Sequence, residues 1–490
     1  MTTFGARVEQ HSNRTAIIDP GGVWSYASLA EHAALLAGAL DTDGTGVNGA
    51  RVALLCEPGH DFVVAVLACW RVGGLAVPLH PAHPDAELAY FLTDSEAAVI
   101  VCSPAHADLA HRIAGPAGAT VVPVGMSSAT LHPPVAADPA RRAMMLYTSG
   151  TTGRPKGVVH THDSLRAQVE SLIEAWAWSG DDRILLALPL HHLHGVVNVT
   201  LCALWAGATC EAPGGFDAHT TWERMASGEL TLFMAVPTIY TRLIAAWDDA
   251  GTADQHRWSA GAAHARLMVS GSAALPVSTL GRWQEITGHM LLERYGMTEL
   301  GIALSNTLER RVPGKVGEPL PNVSVRVVGD TGHDVPDGHP GELLVRGPQV
   351  FLEYWRRPAE TAAAFTEGWF RTGDVAVHEP DGFRLLGRSS VDIIKTGGEK
   401  VSALEIEEVY RTHPGVADIA VVGVPDPEWG ERVCAAMVVD AAAPSSDALR
   451  AWGKERLAAA KVPSRFAFVT ELPRNSMGKV TKADVGKLFV

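Results

Sequence analysis

The sequence predicts an α/β protein with a large N-terminal domain of parallel-type sheets covered by helices, a β-rich subdomain, and a small α+β unit at the C-terminus. Three observations carry this prediction. From Thr15 onward short apolar runs alternate with helix-length patterns, and strand and helix in alternation give parallel sheets covered on both faces. Past Pro313 the texture shifts to strand-like runs separated by Gly, Asp and Pro turns with few helices between them. The last stretch, from about Arg388, mixes two helical and three strand-like segments in a length suited to one compact module.

Taken in order, residues 52–55, 75–79 and 98–101 read as buried strands, with helices over 26–40, 62–70 and 85–92. Residues 143–146 form the next apolar run. After a glycine-rich loop come a strand at 183–188, a helix-length apolar stretch at 196–205, and strands at 232–235 and 267–270. The β-rich part contributes strands at 323–328, 342–345 and 383–386. The C-terminal module reads as a helix at 403–411, strands at 419–422 and 433–439, a helix at 447–459 and a strand at 466–470. The short step 387–390 is the linker candidate, so the chain divides into domains 1–388 and 389–490.

A chain of 490 residues is too long for one ordinary domain. Hydrophobic content of 47% with 19% charged residues is that of a soluble globular protein. A net charge of −14 argues against a nucleic-acid-binding surface, which needs a basic stripe to displace counterions. Six cysteines without CxxC spacing, mostly inside apolar runs, read as reduced core thiols of a cytoplasmic protein, with neither a zinc site nor a disulfide. The first residues lack an apolar signal-peptide core and no window reaches a membrane span, so the chain reads as soluble and untargeted.

The most informative stretch is Tyr147-Thr148-Ser149-Gly150-Thr151-Thr152-Gly153-Arg154-Pro155-Lys156-Gly157. Glycines let backbone N–H groups curl around an anion, hydroxyls donate further hydrogen bonds, and the lysine supplies charge. The order is not that of a Walker A loop, because Pro155 precedes Lys156 and Gly157 follows it. Pro lacks an N–H and Gly is a poor helix former, so the segment is predicted to remain a mobile loop.

Four further constellations stand with it. In Tyr295-Gly296-Met297-Thr298-Glu299, Glu299 is a magnesium-ligand candidate, because a carboxylate beside a polyphosphate needs a cation between them. Read alone, it fits a solvated helix-start glutamate equally well. Asp374, in Trp369-Phe370-Arg371-Thr372-Gly373-Asp374, suits a ribose diol or an ordinary turn. Arg388 can reach a ribose or a phosphate. Lys479 ends the loop Pro473-Arg474-Asn475-Ser476-Met477-Gly478 with a flexible ammonium.

Together the five motifs, in this order, resemble the acyl-adenylate-forming superfamily of acyl-CoA synthetases, luciferases and peptide-synthetase adenylation domains. The resemblance implies that Thr148, Ser149, Gly150, Thr151, Thr152 and Lys156 handle the ATP β- and γ-phosphates. It implies that Gly271, Ser272, Ala273, Tyr295 and Gly296 line the adenine, and that Thr298 and Glu299 serve phosphate and Mg²⁺. Asp374 and Arg388 would hold the ribose, and Lys479 the reacting carboxylate. Ser390 matches the hinge position, where many members carry Asp or Lys, and Gly397 and Gly398 match the segment lining the thiol channel. The implied chemistry is attack of a carboxylate on the ATP α-phosphate, release of pyrophosphate, and displacement of AMP by coenzyme A. Lys479 serves the first step and a thiol channel the second, so the C-terminal module is expected to be mobile.

Three stretches bear on the acid. The histidines of Pro189-Leu190-His191-His192-Leu193-His194-Gly195 lack the spacing of a metal site, and His192 and His194 match the segment walling the acyl pocket. Arg294 stands where a fatty-acid pocket would be apolar. A buried guanidinium without a partner costs several kcal/mol, and its partner is either a second carboxylate on the substrate or a structural acid such as Glu293. Arg242 is a second clamp or a solvated helix-face residue, and Met297 lies at the same pocket. The wording of residues 235–243, 268–276, 291–299 and 391–405 resembles the malonyl-CoA synthetases, which implies malonate, with methylmalonate as a further candidate. The alternatives are a ligase for a medium-chain fatty or aryl acid and a non-catalytic nucleotide-binding protein. The expected partners are these small molecules alone, with no nucleic acid or membrane; oligomeric state is not legible.

Overall fold

The computed structural model describes residues 3–41, 49–126, 132–136, 138–148, 154–439, 444–474 and 479–489. Two large sheets form its bulk. One has seven strands in the order Glu353–Tyr354, Lys156–Thr161, Arg142–Thr148, Leu75–Pro78, Arg51–Leu55, Ala97–Cys102, Thr120–Pro123. The five from Arg142–Thr148 onward are parallel, and the other two are antiparallel additions at one edge. The other has nine strands and is parallel from Leu292–Met297 through Leu267–Ser270, Leu232–Ala235, Arg183–Leu185 and Thr209–Glu211 to Thr15–Asp19. Antiparallel strands Gly301–Ser305 and Glu318–Pro319 extend one edge, and Gly22–Ser25 the other. The central parallel strands Arg51–Leu55, Leu232–Ala235 and Leu267–Ser270 are almost wholly buried, as strands covered on both faces must be. The largest core cluster joins residues of both sheets, from Phe4 to Leu320.

A third sheet is antiparallel throughout: Ser324–Val328, Gly341–Arg346, Trp369–Glu379 and Phe365–Thr366, with Gly382–Arg388 also paired to Trp369–Glu379. The fourth belongs to the C-terminal unit. It orders Glu399–Ser402, Ile393–Thr396, Gly430–Val439 and Val416–Asp426, with Arg465–Val469 parallel to Gly430–Val439. The helix Ala403–Arg411 packs on it through Ile406 and Tyr410. The two core clusters of this unit draw on residues 394–489 alone.

Four expectations need correction. The stretch 196–205 is not one ordinary α-helix: it opens as a π-helix over His194–Leu201 and becomes α-helical at Cys202–Ala206. Its first turn lies close against backbone, since a Cβ at Gly195 would lie 2.4 Å from the Pro189 carbonyl, and the Thr200 hydroxyl donates to the Gly195 carbonyl at 3.0 Å. The stretch 147–157 is not loop at either end: Tyr147 and Thr148 close the strand Arg142–Thr148, and Lys156 and Gly157 begin the strand Lys156–Thr161, where a glycine lets the strand lie directly on Met145, whose sulfur would sit 2.4 Å from an added Cβ. The strand expected at 183–188 ends at Leu185. The helix expected at 447–459 is Ser446–Lys454, and a Cβ at Gly453, near its end, would meet the Tyr410 hydroxyl at 2.0 Å.

All six cysteines are buried and free, in keeping with their apolar contexts. Among the described residues, no helix is long and apolar enough to cross a membrane.

Candidate active site

Residues from three of the four sheets, with Lys479 of the C-terminal unit, converge at one place. Tyr295 lies on the strand Leu292–Met297, and its hydroxyl donates to Asp374 Oδ2 at 2.6 Å. Asp374 sits on the long strand Trp369–Glu379, paired in register with Arg388, whose Nε reaches Asp374 Oδ1 at 3.2 Å. The Asp374 backbone N–H donates to the Thr372 hydroxyl, which donates to the Leu343 carbonyl. The carboxylate is therefore held between a phenol, a guanidinium and a braced, bulged stretch of strand. Burial, followed by the Asp374 charge, holds the Tyr295 phenol well above its usual range, so it stays protonated as a donor.

Glu299 is buried, and its Oε1 accepts from the Tyr354 hydroxyl at 3.0 Å. Burial pushes its pKa up, with the Arg388 charge pulling the other way. A buried carboxylate with a phenol but no ion-pair partner among the described residues is where a divalent cation would relieve the cost. Those residues hold no cluster of three or more acidic, His or Cys ligands. The donor set thus fits Mg²⁺, which takes one or two carboxylates and completes its shell with phosphate oxygens and water. The Lys156 ammonium lies 5.3 Å over the Tyr354 ring and pairs with Glu360. Thr148 faces Lys156 across the two strands. Ser149, Gly150, Thr151 and Thr152 lie outside the described residues. Beside Glu299, the Thr298 carbonyl meets His160 Nε2 at 2.8 Å, and burial lowers that histidine to about 4. Gly296 is required where it stands: a Cβ there would lie 2.0 Å from the Gly301 carbonyl.

A second group of residues lines the neighbouring wall. Arg294 is buried, donates from Nη2 to the Ser272 hydroxyl at 3.1 Å, and leaves its buried Nε without a hydrogen-bond partner among the described residues. Burial alone lowers its pKa, so the cationic form sits at a cost. Glu293 does not pair with it. Successive strand residues face opposite sides, and Glu293 instead accepts from the Gly314 backbone N–H at 2.8 Å. The strand end Ser270-Gly271-Ser272 fits closely around the guanidinium: a Cβ at Gly271 would sit 2.6 Å from Arg294 Nε, and Ser272 takes φ +69, rare for a residue with a Cβ. Ser272 Oγ lies 3.3 Å from His194 Nδ1. His194 Nε2, His192 Nε2, Ser270 Oγ and both amide atoms of Asn198 are buried without partners among the described residues. A wall with this many unanswered polar groups is built for a polar ligand.

Lys479 joins the two groups. Much of its surface is open, yet its ammonium is pushed down by burial and then by Arg294 and Arg388, and pulled back by Asp374. His192 is lowered to about 4, by burial and next by Lys479. The C-terminal unit therefore delivers this lysine between the Asp374–Arg388 pair and Arg294.

The remaining candidates are less embedded. Met297 and Thr298 are half-buried, Ala273 is exposed, and Arg242 is exposed on the helix Pro237–Asp248, without an ion pair among the described residues. Ser390 is exposed in the turn closed by Asp392, whose carboxylate accepts from the Arg388 backbone N–H. Gly397 and Gly398 form an exposed left-handed turn against the Trp429 ring. Tyr354, Glu360, His160 and Asn198 have no signal in the sequence: each is an ordinary residue in an ordinary run, and only the fold brings it here.

Comparisons with known proteins identify the family. A family model described as "AMP-binding enzyme" matches residues 4–355, and one described as "AMP-binding enzyme C-terminal domain" matches residues 405–479. A Bos taurus protein named "Malonate--CoA ligase ACSF3, mitochondrial" is 45% identical over 528 residues, covering 98% of this chain and 89% of that one. The ATP-bound crystal structure of MatB from Rhodopseudomonas palustris matches with TM-score 0.91 at 36% identity, over 99% of this chain and 98% of that one. The apo crystal structure of the same protein, over the same shares, gives 0.81.

Proposed function

We propose, from the premise that the chain belongs to the family of AMP-binding enzymes, that it is an AMP-forming malonate:CoA ligase. It converts malonate, ATP and coenzyme A to malonyl-CoA, AMP and pyrophosphate through malonyl-AMP. The observation that carries the choice of acid is the buried, carboxylate-free Arg294 beside the point that Lys479 reaches. A dicarboxylate answers both cations at once, and the 45% identity to a malonate–CoA ligase supports the same acid.

In the first half-reaction one malonate carboxylate attacks the α-phosphate and pyrophosphate leaves. Lys479 and Lys156 neutralise charge that builds on the reacting oxygens, an electrostatic task performed by groups already in place. Asp374 and Arg388 hold the ribose, Tyr295 and the 271–273 segment line the base, and Thr298 stands at the phosphates. A Mg²⁺ at Glu299, when bound, supplies charge neutralisation on the phosphate oxygens. Arg294, with Arg242, Met297, His192 and His194 around the acid, fixes the far carboxylate. In the second half-reaction the thiol sulfur attacks the acyl carbon, the carbon–oxygen bond to AMP breaks, and AMP leaves with the electron pair.

We divide the chain into domains 1–388 and 389–490. The core clusters support this division, because none of them mixes residues from the two sides. Ser390 serves as hinge and Gly397-Gly398 as the thiol-channel turn. Six free, buried thiols suit a reducing compartment, and the cytoplasm is our reading.

Pyrophosphate release across an acid panel, with ATP and coenzyme A present, tests the function. Malonate is expected to lead, methylmalonate to follow, and acetate, octanoate and benzoate to lag at least about tenfold, the worth of one charge-assisted contact. A panel led by octanoate or benzoate would sink the reading.

A further inference from the structure

One contact between the C-terminal unit and the rest of the chain has no role in the scheme above. Glu408, on the helix Ala403–Arg411, accepts a hydrogen bond at 2.9 Å from the backbone N–H of Val277. Val277 is the first residue of the helix Val277–Thr287, whose N-cap is Pro276, a residue with no side-chain acceptor. The first N–H groups of a helix lack partners within it, and the positive end of the helix dipole favours a carboxylate. Glu408 thus supplies from another domain what a Ser or Asp cap ordinarily supplies from the preceding residue. Its other oxygen faces Arg411 at 3.7 Å, which aims the carboxylate.

We propose that Glu408 is a positioning residue: by capping the Val277–Thr287 helix it holds the C-terminal unit where Lys479 reaches the reacting carboxylate, and the cap breaks when that unit turns away for thioester formation. The inference rests on the ligase reading. Lys479 and Glu408 ride on the same unit, so a rotation that parts Glu408 from Val277 also withdraws Lys479 from Arg294 and Arg388. The other polar contacts across this boundary have less leverage. The Lys400–Asp330 pair is exposed on both sides and screened by water and salt. The Ser402 hydroxyl donates to the Leu386 carbonyl, beside the linker, where a rotation moves it least.

The test measures the two half-reactions separately: pyrophosphate release from ATP and malonate, and malonyl-CoA formation from preformed malonyl-AMP. Two variants remove the same bond from opposite ends. Glu408→Ala removes the acceptor. Val277→Pro removes the donor at the first helical position, where proline is at home, and Pro276 at φ −59, ψ 133 already has the extended conformation a following proline needs. Each is expected to slow pyrophosphate release about fivefold, the usual worth of one cap, and to leave the thioester step unchanged or faster. The double variant is expected to be no slower than either single one, because both remove one contact. Equal slowing of both half-reactions, additive losses, or unchanged pyrophosphate release would overturn the proposal. Should Glu408→Ala fail to fold, Val277→Pro decides alone. Wild-type release on malonate tests the ligase reading itself, so the two failures are distinguishable.

Discussion

Arg294 Nη2 donates to the Ser272 hydroxyl at 3.1 Å while its buried Nε has no partner among the described residues. A guanidinium carries five donors, and burial makes each unanswered one expensive. Arg294→Ala is therefore expected to lower kcat/KM for malonate about a hundredfold, the equivalent of ~3 kcal/mol for a charge-assisted pair, and for acetate by only a few-fold. Steady-state kinetics on both acids check this, and equal losses would remove the dicarboxylate argument.

Gly271 tests the same wall without touching charge. Its missing Cβ is what lets the guanidinium lie there, since the added atom would fall 2.6 Å from Arg294 Nε. Gly271→Ala is expected to raise KM for malonate about tenfold, as displaced contacts of this kind cost ~1–3 kcal/mol. Because Gly271 also belongs to the segment lining the base, ATP affinity measured by calorimetry should fall as well; an unchanged malonate KM contradicts the assignment.

Lys479 meets Arg294, Arg388 and Asp374 only through the placement of the C-terminal unit. In Lys479→Ala, pyrophosphate release is expected to fall by at least about a hundredfold, the scale for removing one preorganised electrostatic group. Malonyl-CoA formation from preformed malonyl-AMP should be largely spared. A variant releasing pyrophosphate at the wild-type rate rules out this role.

Glu299 is joined to Lys156 through Tyr354, hydrogen-bonded on one side and beneath the ammonium on the other. Glu299→Gln keeps the hydrogen bond and removes the charge. We expect its Mg²⁺ requirement for pyrophosphate release to rise about tenfold, ~1.4 kcal/mol for one weakened ligand, with acid KM little changed. Titration of Mg²⁺ against wild type and variant measures this; superimposable titrations would exclude Glu299 as a ligand.

What the sequence makes legible follows from locality. The Tyr295–Glu299 segment, the Thr372–Asp374 segment and Lys479 announce themselves because turn chemistry and charge sit within a few residues. The parallel strands announce themselves as unbroken apolar runs. Tyr354 and Glu299, or Glu408 and Val277, are far apart in the chain and joined by single hydrogen bonds, and no local pattern announces either pairing. The π-helical turn at His194–Leu201 has the composition of an ordinary helix, and only its close approach to the Pro189 carbonyl distinguishes it. The ambiguity over Arg294 was of this kind as well: the strand's alternation sends Glu293 to the other face, toward Gly314, which composition alone does not show.

Glu293 contributes a pH dependence of its own to stability. Burial raises it to about 8 from an ordinary 4.5, with the Gly314 N–H pulling it down and Glu408 pushing it up. Between those two values the folded chain holds a proton that the unfolded chain has released. The unfolded state thus binds fewer protons, and unfolding free energy falls as pH rises, by up to ~1.4 kcal/mol per pH unit from this one group. Below pH 4.5 both states are protonated and above about 8 both are ionised, so the slope is confined to that window. Glu293→Gln mimics the protonated form and keeps an acceptor for Gly314. Denaturant unfolding at pH 5.5, 7 and 8.5 should show the wild type losing a few kcal/mol more than the variant across the series, with the two closest at pH 5.5. The comparison cancels the titration of the buried histidines, which both proteins share. Parallel curves would mean that Glu293 is ionised in the folded chain, and that the Gly314 bond outweighs burial.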